Sequence, residues 1–375
     1  MRIGLITRRF DPAGGGTERD LVITARILTR AGHQVTIYAA EVRAPSSEWR
    51  VRRVGGSWPG RALGLLWFAR TAGARARRDG AELVLSFARI FDADILRSGG
   101  GAHASYMRAA RRWQTTAQGA AMRLSPYHRV QMMVEARGFR GPRLRRAIAV
   151  SRLVRDDLIA TFGLAPAVAV TLYNGVELER FVPAIDAGER RAIRSAIGVA
   201  DDAPAVMFVG NGFARKGLRF LLEAWPVLGD VPRLVVVGTD RAAETYKRLA
   251  RPMGDRVIFL GRRGDVDRLL RGADVLAIPS LFEPFGNVAL EAMACGAPAL
   301  TSAQCGVAEV MSGALGAFVV KDPANRVELA ERMGALIEAA PALSRAARFA
   351  AQQFTWDRHA RELLALIEQA ADTRA

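Results

Sequence analysis

The sequence predicts an α/β protein built from two Rossmann-like domains, and three features support this. First, 375 residues exceed what one hydrophobic core usually organises. Second, short apolar runs rich in β-branched residues alternate with helical periodicity, which is typical of parallel sheets covered by helices. Third, this alternation restarts after a polar stretch at 184–202. Half of the residues are hydrophobic, so both domains have enough apolar side chains for a core.

The first domain opens with the pattern of a strand, a loop and a helix. The apolar run Ile3–Thr7 is followed by a glycine-rich turn at 12–20 and by the periodic segment LVITARILTRAG. Gly32 ends this helix. Further buried strands are predicted at 33–40, 81–88 and 147–151.

The second domain repeats the pattern. Four apolar strands, separated by helical segments, are predicted from the runs APAVMFVGNG, RLVVVGTD, RVIFLGR and ADVLAIPS. We expect the linker at 174–202 and an amphipathic helix at 356–371. The chain therefore divides into a domain at 1–180, a domain at 183–350 and a final segment at 351–375 that packs back toward the first domain.

Composition excludes several classes of protein. Cys295 and Cys305 lack the companions of a disulfide framework or a zinc site, so we expect reduced thiols and a cytoplasmic protein. The N-terminal apolar run is too short for a signal peptide, and no segment is long enough for a transmembrane helix. The net charge of +17 favours anionic partners: nucleotide phosphates, nucleic acid or anionic lipid.

The strongest chemical signal is the segment PSLFEPFGNVALEAMACGAPAL at 279–300. Glu283 and Glu291 lie eight positions apart, on either side of a glycine-containing loop that leads into a helix. Pro284 favours an extended Glu283, and Gly286 allows close backbone approach to a ligand. The free N–H groups of the first helical turn favour a phosphate or a sugar oxygen. Two isolated glutamates would otherwise be read as a surface helix residue and a loop charge.

This segment resembles the E-x₇-E motif of glycosyltransferase family 4, including the Pro-Ser before it and the Glu-Ala-Met-x-x-Gly-x-Pro that follows. The resemblance implies the GT-B fold, with an interdomain cleft, and a nucleotide-sugar donor. It assigns Glu283 to the transferred sugar and Glu291 to the ribose. The predicted donor contacts around the start of the helix are Phe285, Gly286, Asn287 and Val288.

A basic pair, Arg215 and Lys216, follows the first strand of the second domain in FVGNGFARKGLRFLLEA. Two cations in a desolvated site stabilise the charge that grows on a departing diphosphate without a metal. In a chain this basic they are alternatively two solvated charges. They resemble the basic pair of the family, which implies catalysis by Arg215 and Lys216. The segment GRRGDVDRLLRGADVLAIPS at 261–280 continues the resemblance, which places the backbone around Arg262 near the base.

The N-terminal loop at 14–20 has a weaker signal, since a glycine cluster after a strand is also found in dinucleotide-binding turns. It resembles the Gly-Gly-x-x-Arg loop of the family. This implies donor contacts from Gly15, Gly16 and Arg19, and an acceptor contact from Asp20.

Four histidines are present, and one of them is a candidate for catalysis. His103 resembles a histidine that the family places near the donor sugar, although the alternative is a structural role. His33 is predicted to lie in a surface turn and His359 in the C-terminal helix, whereas His128 has no evident partner in the sequence.

Two Asp-x-Asp sequences, at 92–94 and 265–267, have the residue types that hold Mg²⁺ or Mn²⁺ in metal-dependent transferases. The first follows an aromatic and apolar run, and the second lies in an amphipathic helical segment. The family relies on arginine, lysine and a helix dipole instead. We therefore expect no metal and no cofactor beyond the donor.

Residues 97–146 carry eleven arginines and a single acid, Glu135, with aromatic residues and methionines between them. We interpret this region as a surface for an anionic membrane or a phosphorylated glycolipid. No nucleic-acid-binding module is recognisable, which disfavours nucleic acid. A solvated helical face is the alternative.

The resemblance implies transfer with retention of configuration, by front-face attack. Segments such as SAQCGVAEVM resemble lipopolysaccharide-core glucosyltransferases of the family. The expected donor is UDP-glucose and the expected acceptor is a glycolipid or the lipopolysaccharide core, on the inner face of the cytoplasmic membrane. The alternatives are another nucleotide sugar such as GDP-mannose, a non-hydrolysing nucleotide-sugar epimerase, or a non-catalytic protein that binds anionic ligands.

Overall fold

The computed structural model describes residues 1–12, 14–56 and 59–372. The chain forms two compact units: unit 1 contains Met1–Tyr173 with the C-terminal segment from Arg358, and unit 2 contains Asn174–Asp357. Of the final segment predicted at 351–375, the last three residues lie outside the described residues.

Unit 1 has a seven-stranded sheet in the order β3-β2-β1-β4-β5-β6-β7, with every neighbouring pair parallel. The strands are β1 (Arg2–Phe10), β2 (Gln34–Val42), β3 (Arg50–Arg53), β4 (Leu83–Ser86), β5 (Ile95–Ser98), β6 (Arg146–Ala149) and β7 (Ala169–Thr171). The strand order reverses between β1 and β4, which is the position where ligands bind in open parallel sheets.

Seven helices belong to the described part of this unit. They are α1 (Gly16–Arg30), α2 (Arg61–Arg78), α3 (His103–Ala110), α4 (Thr116–Leu124), α5 (Pro126–Phe139), α6 (Arg152–Phe162) and α13 (Trp356–Asp372), whose first two residues lie in unit 2. Leu363, Ile367 and Ala370 of α13 are buried at helical spacing in the same core as Leu5 and Ile37 of the sheet.

Unit 2 has a six-stranded parallel sheet in the order β10-β9-β8-β11-β12-β13. Its strands are β8 (Ala205–Val209), β9 (Arg233–Val237), β10 (Val257–Gly261), β11 (Val275–Ile278), β12 (Ala299–Ser302) and β13 (Val319–Val320). Its helices are α7 (Ala187–Ser195), α8 (Leu218–Ala224), α9 (Ala243–Ala250), α10 (Val266–Arg271), α11 (Asn287–Ala294) and α12 (Arg326–Gln352). The predicted pair of Rossmann-like folds is confirmed.

The structure differs from the sequence prediction in the region predicted as a linker, because α7 lies inside it. Asp186 caps this helix by accepting from the backbone N–H of Glu189. The guanidinium of Arg194 is buried and donates to the carbonyl of Gly272 and to the carboxylate of Asp274. A polar sequence therefore forms a helix here, since its charges are paired within unit 2.

Candidate functional site

The loop between β8 and α8 brings the predicted basic pair to the end of the sheet in unit 2. Gly210 has φ +142°, and a Cβ there would lie 2.4 Å from Cε of Lys216. Gly217 has φ +82°, and a Cβ there would lie 2.0 Å from the carbonyl oxygen of Pro279. Both positions therefore require glycine. The loop packs closely against the end of β11, where the carbonyl of Arg215 accepts from the N–H of Leu281.

Glu283 lies beside both cations. Its Oε2 accepts hydrogen bonds from Nη1 of Arg215 at 2.9 Å and from Nζ of Lys216 at 2.7 Å. The Glu283 side chain is 14% exposed and that of Lys216 is 10% exposed. Arg215 also donates to the carbonyl of Phe282, at 2.7 Å. Three residues selected from separate motifs thus form one largely buried ion cluster.

Burial alone would raise the pKa of Glu283, but the charges and hydrogen bonds of Lys216 and Arg215 outweigh it and hold the pKa below its ordinary value. The carboxylate is therefore ionised at neutral pH, and the cluster has one net positive charge. In the described part of the chain Oε1 of Glu283 makes no hydrogen bond. It is available to accept a hydrogen bond from a ligand hydroxyl.

Helix α11 begins next to this cluster. Gly286 is its N-cap, with φ +98°, and a Cβ there would lie 2.8 Å from Sγ of Cys305. No side chain caps the helix, so the N–H groups of its first turn, which includes Val288, favour an anion. Oδ1 of Asn287 accepts from Nδ2 of Asn174 at 2.8 Å, which fixes the Asn287 amide.

The other residues predicted for the donor take varied positions in unit 2. Phe285 is buried, and its carbonyl accepts from the N–H of Val307 and from Sγ of Cys305. Glu291 lies on the second turn of α11 and is partly buried. Arg262 follows β10 and is exposed.

In unit 1, Gly15 caps α1 and Gly16 is the first residue of that helix. Both are exposed and Arg19 is partly buried. Asp20 is buried, and its carboxylate accepts from Nε of Arg97 at 2.6 Å. Burial outweighs this pairing and raises the pKa of Asp20. The acceptor contact by Asp20 stays a prediction.

His103 is the first residue of α3 and is 9% exposed. Its Nε2 lies 2.9 Å from Nδ1 of His128. His128, for which the sequence shows no evident partner, is thus paired with His103. The signal was hidden because the two histidines are 25 residues apart and on different helices.

Both Asp-x-Asp sequences are engaged by arginines. Asp92 and Asp94 pair with Arg77, and Asp265 pairs with Arg263. Across the described residues, no three histidine, cysteine, aspartate or glutamate side chains are grouped so as to hold a metal ion. Metal independence itself stays a prediction.

Asp240, after β9, is a site residue that the sequence analysis missed. Its Oδ2 accepts from the N–H of Phe213 at 2.8 Å, and its Oδ1 accepts from the N–H of Ala242. It therefore anchors the loop that carries Arg215 and Lys216. An acid directly after the run RLVVVGT, at the end of the strand beside β8, was the available signal.

Comparisons with known proteins identify the two halves of the chain. Residues 14–180 match a family profile described as Glycosyltransferase Family 4, and residues 203–339 match one described as Glycosyl transferases group 1. A D-inositol 3-phosphate glycosyltransferase of Xylanimonas cellulosilytica is 33% identical over 241 residues, which are 60% of this chain and 57% of that protein. An uncharacterised glycosyltransferase of Methanocaldococcus jannaschii is 34% identical over 44% of each chain. This chain thus spans about half the length of the curated relatives it matches.

Solved structures are similar over nearly the whole chain. WaaG, a glycosyltransferase involved in lipopolysaccharide biosynthesis, has a TM-score of 0.79 and 23% identity over 99% of both chains. Anabaena HepE in complex with UDP-glucose has a TM-score of 0.71 and 19% identity, covering 98% of this chain and all of HepE. At these identities the likeness concerns the fold, which agrees with the two parallel sheets. The two halves of the chain thus match two glycosyltransferase family profiles, and the chain has the GT-B fold.

Proposed function

We propose that this chain is a retaining, metal-independent glycosyltransferase that transfers glucose from UDP-glucose to a glycolipid or lipopolysaccharide-core acceptor. The observation that supports this best is the cluster of Arg215, Lys216 and Glu283 beside the uncapped start of α11. It combines a net positive charge for a diphosphate with a carboxylate oxygen for a sugar hydroxyl.

Breaking the bond between the sugar and the diphosphate leaves negative charge on the phosphate oxygens. Arg215 carries five N–H donors and Lys216 three, so donors remain on both side chains after those given to Glu283 and Phe282. Fixed cations with little solvent exposure stabilise this charge without reorganising during the reaction. Glu283 keeps both cations in place, and in this proposal its free Oε1 binds the sugar.

For retention we propose front-face attack, in which the acceptor hydroxyl forms the new bond on the side from which the diphosphate leaves. A phosphate oxygen takes the hydroxyl proton, so no enzyme carboxylate is bonded to the sugar. Recovery of a glycosyl–enzyme adduct contradicts this route. The anomeric configuration of the product, read by NMR, tests retention separately.

The acceptor would bind unit 1, where a cavity of about 630 Å³ lies beside the carboxyl ends of β1, β2 and β4. Its lining includes Arg8, Arg9, Thr17, Glu18 and Phe87. Hydroxyl and charged groups beside an aromatic ring suit a sugar that carries an anionic group. UDP-glucose is favoured because HepE binds it, and the lipopolysaccharide core because WaaG acts in its biosynthesis.

A panel of nucleotide sugars tests the proposal, first by thermal shift and then by turnover with lipopolysaccharide core, glycolipid and D-inositol 3-phosphate as acceptors. We expect UDP-glucose to raise the melting temperature, because a ligand of the native state stabilises it. Absence of a shift with every nucleotide sugar contradicts the proposal. Epimerised free donor without an acceptor supports an epimerase instead, and a shift with GDP-mannose alone changes the donor.

The variant Glu283→Gln should reduce turnover by about 10²- to 10³-fold, the effect of losing one preorganised electrostatic contact. Glu223→Gln is the matched control. Glu223, on α8, also pairs with an arginine, but that arginine is Arg219, whose side chain is 66% exposed. Equal activity of the two variants argues against the assigned role of Glu283.

A further inference from the structure

The rings of His103 and His128 are nearly parallel and meet edge to edge in unit 1. Their centroids lie 5.0 Å apart at an interplanar angle of 15°, and Nε2 of His103 is 2.9 Å from Nδ1 of His128. This is the distance of an N–H···N hydrogen bond. In the part of the chain that the structure describes, Nδ1 of His103 makes no hydrogen bond. One ring nitrogen of His103 is thus engaged and the other is left for a ligand.

Helix α5 holds His103 at two points. His128 and Glu135 are seven residues apart on α5, about two turns, so they lie on the same face of the helix. Oε2 of Glu135 accepts from the backbone N–H of His103 at 2.7 Å, and His128 contacts the ring. Glu135 is itself fixed by Nε of Arg89 at 3.0 Å. Both the backbone and the ring of His103 are positioned from one helix face.

Both imidazoles are neutral at pH 7. Burial, then the charges of His128 and Arg89, lower the pKa of His103 to about 4. Burial and the charge of Arg61 lower the pKa of His128. The other ionisable groups around the pair are Glu135, Tyr106 beside the His103 ring and Tyr127 beside the His128 ring.

A neutral pair shares one proton across the contact, so one ring donates and the other accepts. His128 is the more exposed ring and therefore remains the more basic acceptor. Nε2–H of His103 then donates to Nδ1 of His128. This tautomer leaves a lone pair on Nδ1 of His103, which can accept a hydrogen bond from a sugar hydroxyl but cannot donate one.

We propose that His128 is the positioning residue for His103: it fixes the ring in the Nε2–H tautomer, so that Nδ1 is presented as a hydrogen-bond acceptor. The inference rests on the proposed function and on the role in transfer that the sequence predicts for His103. His128 touches no substrate in this account and acts through His103 alone. In metal sites the hydrogen-bond partner of a ligating histidine orients the ring and fixes its tautomer, and its loss costs about 10- to 100-fold in affinity or activity. We expect an effect of the same order for His128.

Protonation of His128 reverses the arrangement. Nδ1 of His128 becomes a donor, so Nε2 of His103 must accept and its proton moves to Nδ1. The nitrogen that faces the ligand then loses its lone pair. Because the neutral form is the active one, kcat should fall as the pH drops through the pKa of His128, which lies below the ordinary 6.5.

The test compares two variants of the full chain. His128→Phe keeps an aromatic ring at this position and removes the nitrogen. His128→Asn places an amide oxygen as many bonds from the backbone as Nδ1, so it can still accept, but it does not titrate. Tyr127→Phe is the control, because it removes only a hydroxyl from the ring 5.5 Å from His128.

Nitrogen-15 NMR of the imidazoles gives a readout that is independent of activity. We expect a scalar coupling between Nε2 of His103 and Nδ1 of His128 in the wild type, and the Nε2–H tautomer for His103. His128→Phe should convert His103 to a mixture of tautomers, whereas His128→Asn and Tyr127→Phe should not. Absence of the coupling overturns the inference, even if His128→Phe fails to fold.

Kinetics then separate positioning from a structural role. His128→Phe should lower kcat by about tenfold or more, while its donor KM stays within about twofold of wild type. His128→Asn should keep kcat within about threefold of wild type, and its kcat should no longer fall at acidic pH. Equal losses in both variants contradict the inference. If the wild type turns over no nucleotide sugar while the NMR result holds, the proposed function fails and the ring pairing stands.

Discussion

Gly16 shows how one residue separates a requirement of the fold from a requirement of the ligand. It is the first residue of α1, its φ lies outside the left-handed region, and a Cβ built on it meets nothing within 4 Å. The fold therefore does not need glycine there. If the donor diphosphate approaches this backbone, as the sequence predicts, a methyl group at position 16 obstructs the ligand and leaves the fold undisturbed.

We predict that Gly16→Ala leaves the free energy of unfolding unchanged or raises it by up to about 1 kcal/mol, since alanine is the better helix former. The donor KM should rise by about tenfold, which corresponds to about 1.4 kcal/mol of lost binding. Gly119→Ala, on α4, is the control, because that Cβ also meets nothing within 4 Å. Unchanged donor KM in Gly16→Ala removes the loop from the donor site.

Individual residues also show how much of the candidate site could be predicted from the sequence. Arg215, Lys216 and Glu283 stand in linear motifs, so local residue order was sufficient to select them, and the structure brings them together. His128 and Asp240 act through contacts made across helices or neighbouring strands. Their partners depend on which distant segment packs beside them. A local pattern, an acid at the end of a buried strand, was available for Asp240 but not for His128.

Helix α13 completes the core of unit 1 and carries a buried histidine. Nδ1 of His359 lies 2.6 Å from the carbonyl oxygen of Tyr173, and the side chain is 1% exposed. Burial, then the nearby charge of Arg97, lowers the pKa of His359 to about 3. The folded state therefore keeps this imidazole neutral at pH values where the unfolded chain, with a pKa near 6.5, takes up a proton.

The sign of the effect follows from this difference. Stability from His359 is complete above about pH 6.5 and declines as the pH falls toward 3, by about 1.4 kcal/mol per pH unit. We predict that the wild type loses about 2 kcal/mol between pH 7 and pH 5 through this group, measured by urea denaturation. His359→Asn should abolish this part of the pH dependence, although its stability at pH 7 is lower. His33→Asn, at the exposed turn after α1, is the control and should leave most of this pH dependence in place. If the free energy of unfolding falls equally with pH in His359→Asn and in wild type, the effect does not come from His359.

At the element scale, length and polarity decided which predictions succeeded. Strands with a run of five buried residues, such as β1 and β8, were predicted, because burial on both faces leaves a continuous hydrophobic run. The two- and three-residue strands β13 and β7 are too short to show a period. Helix α7 is rich in charge and its stability comes from Arg194 and Asp274, which meet across 80 residues. The local signal for α7 was Asp186 with Glu189 three residues later, the pattern of a helix start, and the polar composition of the stretch obscured it.

The charge of the whole molecule leads to the question of its surface partner. The net charge of +17 includes exposed arginines on α4, α5 and the turn after α3, where the exposed side chain of Leu124 is also found. No described helix combines the length and apolarity needed to cross a membrane. We propose that residues 97–146 bind an anionic membrane surface, where each arginine contributes about 1 kcal/mol.

We predict that the protein co-sediments with vesicles containing anionic lipid, and that this binding weakens as salt rises from 50 to about 500 mM, because exposed charges are screened within about 10 Å or less. Replacing Arg111, Arg112 and Arg123 by glutamine should weaken binding by about 100-fold, from the loss of about 3 kcal/mol. Replacing Arg241, Arg248 and Arg251, which are exposed on unit 2, removes the same total charge and is the matched control.

Equal weakening by the two triple variants shows that net charge alone attracts the protein to the lipid. Tighter binding to single-stranded RNA than to the vesicles, with the same dependence on the first three arginines, would instead assign this surface to nucleic acid. Selective loss in the first variant, with donor turnover in solution unchanged, locates the membrane surface on residues 97–146 and separates it from the chemistry of unit 2.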